Sequence, residues 1–151
     1  MAELKDRLRT DLNAAMKARD EVTTATLRMA LTAVTNEEVA GKAARELSDD
    51  EVLKVIAREA KKRREAAEAY DAASRPELAA RERAEEVVLD GYLPAQLSDD
   101  ELTALVREAI AEIGASGMAQ LGAVMKAVQP KIAGRADGKR VSDEVRGQLA
   151  P

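Results

Sequence analysis

The sequence Leu-Ser-Asp-Asp-Glu occurs twice in the chain, at residues 47–51 and again at residues 97–101. In each copy the serine hydroxyl can accept a hydrogen bond from the amide three residues later, and the glutamate can bond back to the serine amide. The two aspartates suit the positive end of a helix dipole. Each copy therefore predicts the first turn of a helix. Because the sequences that follow the two copies differ, we interpret them as repeated capping chemistry and not as a structural repeat.

Apolar residues recur at intervals of three and four along most of the chain, which is the spacing of one buried helix face. Seven helices are predicted, near residues 4–16, 22–40, 48–73, 76–89, 98–113, 118–128 and 142–149. No segment alternates between apolar and polar residues with a period of two, so no strand is predicted. The predicted fold class is all-α.

Several residues define the expected helix ends. Ser74 is expected to cap the fourth helix, with Pro76 in its first turn. Pro130 is expected to break the sixth helix, and Ser142 to cap the last one. Gly122, inside the sixth helix, is expected to let a neighbouring backbone approach closely.

A boundary between two parts of the chain is predicted at Gly91-Tyr92-Leu93-Pro94. The glycine suits a helix C-terminus, and the proline disfavours a helical conformation in the residue before it. We therefore expect a larger helical N-terminal subdomain at residues 1–93 and a smaller helical C-terminal subdomain at residues 94–151.

The composition removes most of the side chains that carry catalysis. The chain has no cysteine and no histidine, which excludes thiolate chemistry, the usual zinc ligands and the usual general base near neutral pH. The five serines lie at expected caps or loops, and the paired aspartates after Ser48 and Ser98 are explained by capping. We expect no catalytic residue, no cofactor and no metal site. The core must be aliphatic, because Tyr70 and Tyr92 are the only aromatic residues.

No apolar run approaches the length of a membrane span, and the first residues do not resemble a signal peptide. We therefore expect a cytoplasmic protein without a membrane-bound segment.

Positive charge is concentrated near the C-terminus. Residues 117–146 carry six basic and three acidic side chains, whereas the whole chain has a formal net charge of −4. Within this segment, residues 134–140 read Gly-Arg-Ala-Asp-Gly-Lys-Arg. Glycines that permit positive φ and cations that pair with phosphate fit an anion-binding loop. A solvated turn between two helices explains the same residues equally well.

A second basic cluster lies in the predicted third helix, at Arg58 and residues 61–64. It could form a phosphate-binding stripe. We interpret it as a solvated helix face, because acidic residues are interleaved with it at i,i+4 spacing, as in Glu59–Arg63 and Arg64–Glu68.

Several motifs together resemble the YqeY-like proteins of the GatB/YqeY family. These motifs are Leu27-Arg28-Met29, Lys61-Lys62-Arg63-Arg64-Glu65 to Tyr70, Tyr92-Leu93-Pro94-Ala95-Gln96-Leu97-Ser98, Gly122-Ala123-Val124-Met125-Lys126, Pro130-Lys131, and Gly134-Arg135-Ala136-Asp137-Gly138-Lys139. They occur in the order and spacing of that family and span nearly the whole chain.

The resemblance implies an all-helical fold with a small three-helix C-terminal subdomain. In the family, the equivalent region is the C-terminal tail of the B subunit of the glutamine-dependent tRNA amidotransferase, a carbon-nitrogen ligase with glutamine as amido-N-donor. That tail helps to hold tRNA, while the chemistry lies in a separate domain without a counterpart here. We therefore expect a non-catalytic tRNA- or RNA-binding accessory module, with amidotransferase subunits as possible partners. The expected nucleic-acid-binding residues are Lys126, Lys131, Gly134, Arg135, Gly138, Lys139 and Arg140.

A protein–protein adaptor is the alternative function. Met118, Leu121 and Met125 share one face of the predicted sixth helix and could bind a partner. Core packing explains apolar residues at this spacing more simply.

Overall fold

The computed structural model describes residues 3–151, and these residues form helices and loops without a strand. The all-helical prediction is confirmed. The helices are α1 (Glu3–Lys17), α2 (Glu21–Glu38), α3 (Asp49–Ala72), α4 (Pro76–Asp90), α5 (Asp99–Ile113), α6 (Leu121–Ile132) and α7 (Gly138–Leu149), with a short 3-10 helix at Met118–Gln120. Within residues 3–151, no helix combines the length and the apolar character needed to cross a membrane.

The chain packs as two compact units, Met1–Leu93 and Pro94–Pro151. In the first unit, α1–α4 surround a core of aliphatic side chains, and α3 and α4 pack against each other most extensively. The central buried residues of this core are Leu8, Leu27, Val34, Val52, Ile56 and Leu89.

The second unit has its own core, built by α5, α6 and α7. Each helix contributes residues spaced by three or four positions, so that one stripe faces inward. These buried residues are Leu102, Val106 and Ala109 on α5, Val124, Val128 and Ile132 on α6, and Val141, Val145 and Leu149 on α7. This arrangement fixes which faces of α6 and α7 remain exposed.

Both predicted capping boxes form. The Ser48 hydroxyl accepts from the amide of Glu51 at the start of α3, and the Ser98 hydroxyl accepts from the amide of Glu101 at the start of α5. Hydrogen bonds from Arg45 and from the Ser48 amide lower the pKa of Glu51 to about 2. The helix starts at these two places were predictable because the bonds that make them are local.

Three predicted helix ends are wrong. Ser74 lies in a left-handed conformation with φ of 59° and does not cap α4, which begins after Arg75. Pro130 does not break α6, which continues to Ile132 because that side chain is buried in the core of the second unit. Ser142 lies inside α7, four residues after its first residue, Gly138.

Gly122 also has a different environment from the one expected. A Cβ atom built at this position meets nothing within 4 Å, so no neighbouring backbone approaches it. The prediction of close helix packing at Gly122 is therefore wrong.

The basic cluster on α3 is divided between a buried ion network and exposed side chains. Arg63 is only 5% exposed, and it donates to Glu59 Oε1 at 2.8 Å. Its Nε lies 3.7 Å from Glu85 Oε2 on α4, and its Nη2 donates to Met29 Sδ at 3.3 Å. The interpretation of the whole cluster as a solvated face is therefore wrong for Arg63, whereas Arg58 is exposed.

Carboxylates on α3 and α4 have pKa values shifted in opposite directions. Burial alone would raise the pKa of Glu59, but hydrogen bonds from Lys62 and Arg63 outweigh it, so the pKa lies below its ordinary value. On α4, burial raises the pKa of Glu82 and of Glu86. Lys62 and the buried Arg63 guanidinium together keep the Glu59 carboxylate ionised.

The end of the first unit is held by Tyr92. Its hydroxyl donates to the carboxylate of Asp11 on α1, and the Arg7 guanidinium lies 4.5 Å from the centre of its ring. Burial, followed by the hydrogen bond to Asp11, raises the pKa of Tyr92. The tyrosine of the Tyr-Leu-Pro motif therefore secures the residues after α4 to the first helix.

Candidate nucleic-acid interface

The predicted phosphate-binding loop connects α6 to α7. Ala133 and Gly134 adopt left-handed conformations with φ of 48° and 78°, and these two residues reverse the chain after α6. Gly138 has no such conformation, because it is already the first residue of α7. A Cβ atom at either glycine meets nothing within 4 Å. Gly134 thus supplies the turn, while Gly138 lies in an open, accessible helix start.

Asp137 determines where α7 begins. Its Oδ1 accepts a hydrogen bond from the backbone amide of Arg140 at 2.9 Å, which is the bond of an N-cap residue. The side chain of Asp137 is therefore engaged in a local bond within the loop and the first turn of α7. This carboxylate stabilises the helix start that presents Lys139.

Arg135 and Arg140 hold the segment that precedes α5. Arg135 Nε donates to the Ala95 carbonyl at 2.9 Å, and Arg140 Nη2 donates to the Leu97 carbonyl at 3.0 Å. The backbone of the same loop adds a bond from the Leu97 amide to the Arg135 carbonyl at 2.8 Å. Both guanidiniums therefore have a structural task, because they satisfy backbone carbonyls of residues 95–97.

Acidic side chains of α5 also contact these arginines. Asp99 Oδ1 lies 3.0 Å from Arg140 Nη2, and Glu101 Oε2 lies 3.6 Å from Arg135 Nη2. About a third of each guanidinium side chain remains accessible. The two arginines keep an exposed edge, but their charge is partly balanced within the unit.

Lys131 is held by two carboxylates. Its Nζ donates to Glu108 Oε1 at 2.9 Å and to Glu112 Oε1 at 3.0 Å, both on α5. The hydrogen bond to Glu108, followed by that to Glu112, raises the pKa of Lys131. This lysine is 23% exposed. It bridges α5 and α6 and has no contact with a backbone carbonyl among the described residues.

Lys126 and Lys139 are exposed, and neither makes an ion pair with a residue in the range 3–151. Each lies two positions from a buried valine of its own helix, Val124 or Val141. At 100° per residue, a separation of two places a side chain about 160° from that valine. Both lysines therefore point away from the core of the second unit.

Arg146 is a candidate that the sequence prediction did not include among the site residues. It follows Lys139 by seven positions, which is two helical turns, so the two side chains share one stripe of α7. Its Nε donates to the Ser142 hydroxyl at 3.2 Å, and it makes no ion pair among the described residues. The seven-residue spacing between Lys139 and Arg146 could have identified Arg146 as a candidate once the start of α7 was known.

The second unit as a whole is not cationic. Residues 94–151 contain seven lysines and arginines against eight aspartates and glutamates, a formal net charge of −1. The acids lie mainly on α5, whereas the free lysines lie on α6 and α7. Within the described residues, no group of three or more acidic side chains is arranged to hold a metal ion.

Comparison with known proteins identifies one family. A search of curated proteins finds no match to the chain. The model of the family described as Yqey-like protein matches residues 5–149. This range includes both units and every cation of the candidate interface. The chain therefore belongs to the YqeY family of Yqey-like proteins.

Proposed function

We propose that this chain is a non-catalytic RNA-binding module, with tRNA as its ligand, that works as an accessory to a glutamine-dependent amidotransferase. The observation that carries the proposal is the pair of exposed lysines, Lys126 and Lys139, which have no ion pair within residues 3–151. Cations that no carboxylate neutralises are available to phosphate, and RNA presents phosphates at high density. Arg146 extends the same stripe on α7.

The proposed recognition uses the RNA backbone. Tyr70 and Tyr92 are the only aromatic residues, and both precede Pro94, so the second unit offers no ring for base stacking. Base-specific reading of RNA depends heavily on such stacking, whereas helical stems are recognised by shape and phosphate contacts. Folded tRNA stems fit this requirement better than a flexible single strand.

The resemblance to the tail of the amidotransferase B subunit supports tRNA over other polyanions. The structural role of the serines supports a function without catalysis. Ser48 and Ser98 serve as helix caps, and the chain has no histidine to activate a serine. The module would position RNA for an enzyme that supplies the chemistry.

Replacing both free lysines tests the proposal. In the variant Lys126→Ala/Lys139→Ala, we expect tRNA affinity at about 0.1 M salt to fall by about 10- to 100-fold, because two phosphate contacts are lost. Filter binding measures this change. The matched control is Lys17→Ala/Lys42→Ala in the first unit, which removes the same charge from exposed lysines without an ion pair among the described residues. Equal losses in the two double variants would show that net charge alone matters and would reject the assigned site.

A direct partnership with amidotransferase subunits is the second candidate function. An open groove of about 380 Å³ in the second unit is lined by Ile110, Met118 and Leu149, and Met118 is 43% exposed. Affinity purification from lysate, with and without nuclease, separates the two functions. Retention of amidotransferase subunits after nuclease treatment favours direct contact, and their loss favours a link through RNA.

A further inference from the structure

Lys131 differs from Arg135 and Arg140 in the groups to which its side chain donates hydrogen bonds. Arg135 and Arg140 donate to backbone carbonyls, so they are needed to fix the loop. Among the described residues, Lys131 Nζ donates only to side-chain carboxylates, those of Glu108 and Glu112. The charge of Lys131 is therefore neutralised by two glutamate side chains. The fold does not depend on Lys131 to satisfy these carboxylates.

The two carboxylates approach Lys131 from one side of α5. Glu108 and Glu112 are four positions apart, which places them on the same helix face. They are 55% and 52% exposed, so water and ions reach both. Ion pairs with partners this exposed contribute little to stability, and they open without unfolding the unit.

A phosphate could take the place of either carboxylate. Lysine makes the same charge-assisted hydrogen bond to a phosphate oxygen as to a carboxylate oxygen. A bound RNA would meet two negative charges beside Lys131, and like charges at close range oppose its approach. Neutralising those charges should therefore raise affinity more than neutralising acids elsewhere.

We propose that Glu108 and Glu112 mask Lys131, so that this lysine contacts RNA only when phosphates displace both carboxylates. This inference rests on the proposed RNA-binding function. It assigns the two glutamates as residues that limit the number of phosphates that the chain contacts. Lys131 follows Lys126 by five positions on α6, so the two side chains leave the helix about 140° apart and would contact different phosphates.

The experiment compares tRNA binding by the full chain and by Glu108→Gln/Glu112→Gln. We expect the unmasked variant to bind about tenfold more tightly at about 0.1 M salt, and its log–log salt slope to steepen by about 0.9, the value for one further phosphate contact on a duplex. The control is Glu21→Gln/Asp50→Asn, which removes the same two charges at exposed acids of the first unit that have no ion pair within residues 3–151. The control should leave the slope unchanged.

A third variant tests whether Lys131 is responsible for the tighter binding. Adding Lys131→Ala to the unmasked variant should abolish both the tighter binding and the steeper slope. Circular dichroism melting checks that every variant folds. Loss of the tighter tRNA binding then cannot be explained by unfolding. Persistence of the gain without Lys131 overturns the masking.

The outcomes also separate this inference from the proposed function. If the unmodified chain binds tRNA but the unmasked and control variants behave alike, masking is overturned and RNA binding stands. If only the unmasked variant binds, masking is supported and the unmodified chain is not a stand-alone RNA binder. If no variant binds tRNA even at low salt, both proposals are overturned.

Discussion

Replacing Arg63 with alanine is expected to lower the free energy of unfolding by about 3 kcal/mol, because two buried carboxylates lose their buried cation and keep only the exposed partners Lys62 and Arg81. Arg63 is 5% exposed and faces the carboxylates of Glu59 and Glu85. Neither acid lies in open solvent. Urea unfolding followed by circular dichroism measures the change, and a loss of this size is a large part of the stability of a small domain.

A matched arginine on the same helix provides the control. Arg58 is exposed and pairs with Glu37 at 3.5 Å, so Arg58→Ala should cost less than about 1 kcal/mol. Replacing the whole network in Arg63→Met/Glu59→Gln/Glu85→Gln should recover much of the stability, because no buried charge then remains unpaired. Equal losses for Arg63→Ala and Arg58→Ala would contradict the role given to the buried network.

The loss should depend on pH. The folded-state pKa of Glu59 is held below its ordinary value of 4.5, so its contribution to stability is present above pH 4.5 and is lost as the pH falls. Without Arg63, Glu59 keeps only Lys62 as a cationic partner, so burial penalises the ionised carboxylate more, and protonation relieves that penalty. The difference between the unmodified chain and Arg63→Ala should therefore shrink below pH 4.5. A difference that grows on acidification would contradict this assignment of charge.

The features predicted well from sequence were those set by local bonds. Ser48 and Ser98 each bond to an amide three residues away, so the helix starts followed from short motifs. The start of α7 did not follow from a short motif in this way. Both Asp137 and Ser142 are residue types that cap helices, and burial of Val141 selects the earlier one. At Pro130 the burial of Ile132 outweighs a local signal for a break.

The sequence shows that the candidate cations lie near the C-terminus, but it does not show which of them are paired with acids. Lys131 meets Glu108 and Glu112, which lie 23 and 19 positions earlier, and Arg140 meets Leu97, 43 positions earlier. Charge counts along the chain cannot show which cations are neutralised by such distant partners. Only the packing of α5 against α6 and α7 separates the free Lys126 and Lys139 from the paired cations.

The strength of tRNA binding should depend steeply on salt. Each phosphate neutralised on a duplex contributes about −0.9 to the slope of log affinity against log salt. Contacts from Lys126 and Lys139 alone give a slope of about −1.8, and contacts from all five predicted cations, with Lys131 unmasked, give about −4.5. Between about 50 mM and 200 mM salt, affinity should therefore fall by about 12-fold for two contacts and by about 500-fold for five.

The affinity of the full chain for tRNA at these two salt concentrations is the most direct test of the central claim. Filter binding or a gel shift gives both values on the same preparation. We expect clear binding at about 50 mM salt and a loss of at least about tenfold at about 200 mM. Absence of binding at the lower concentration, or equal affinity at both, would contradict an RNA-binding interface built from Lys126 and Lys139.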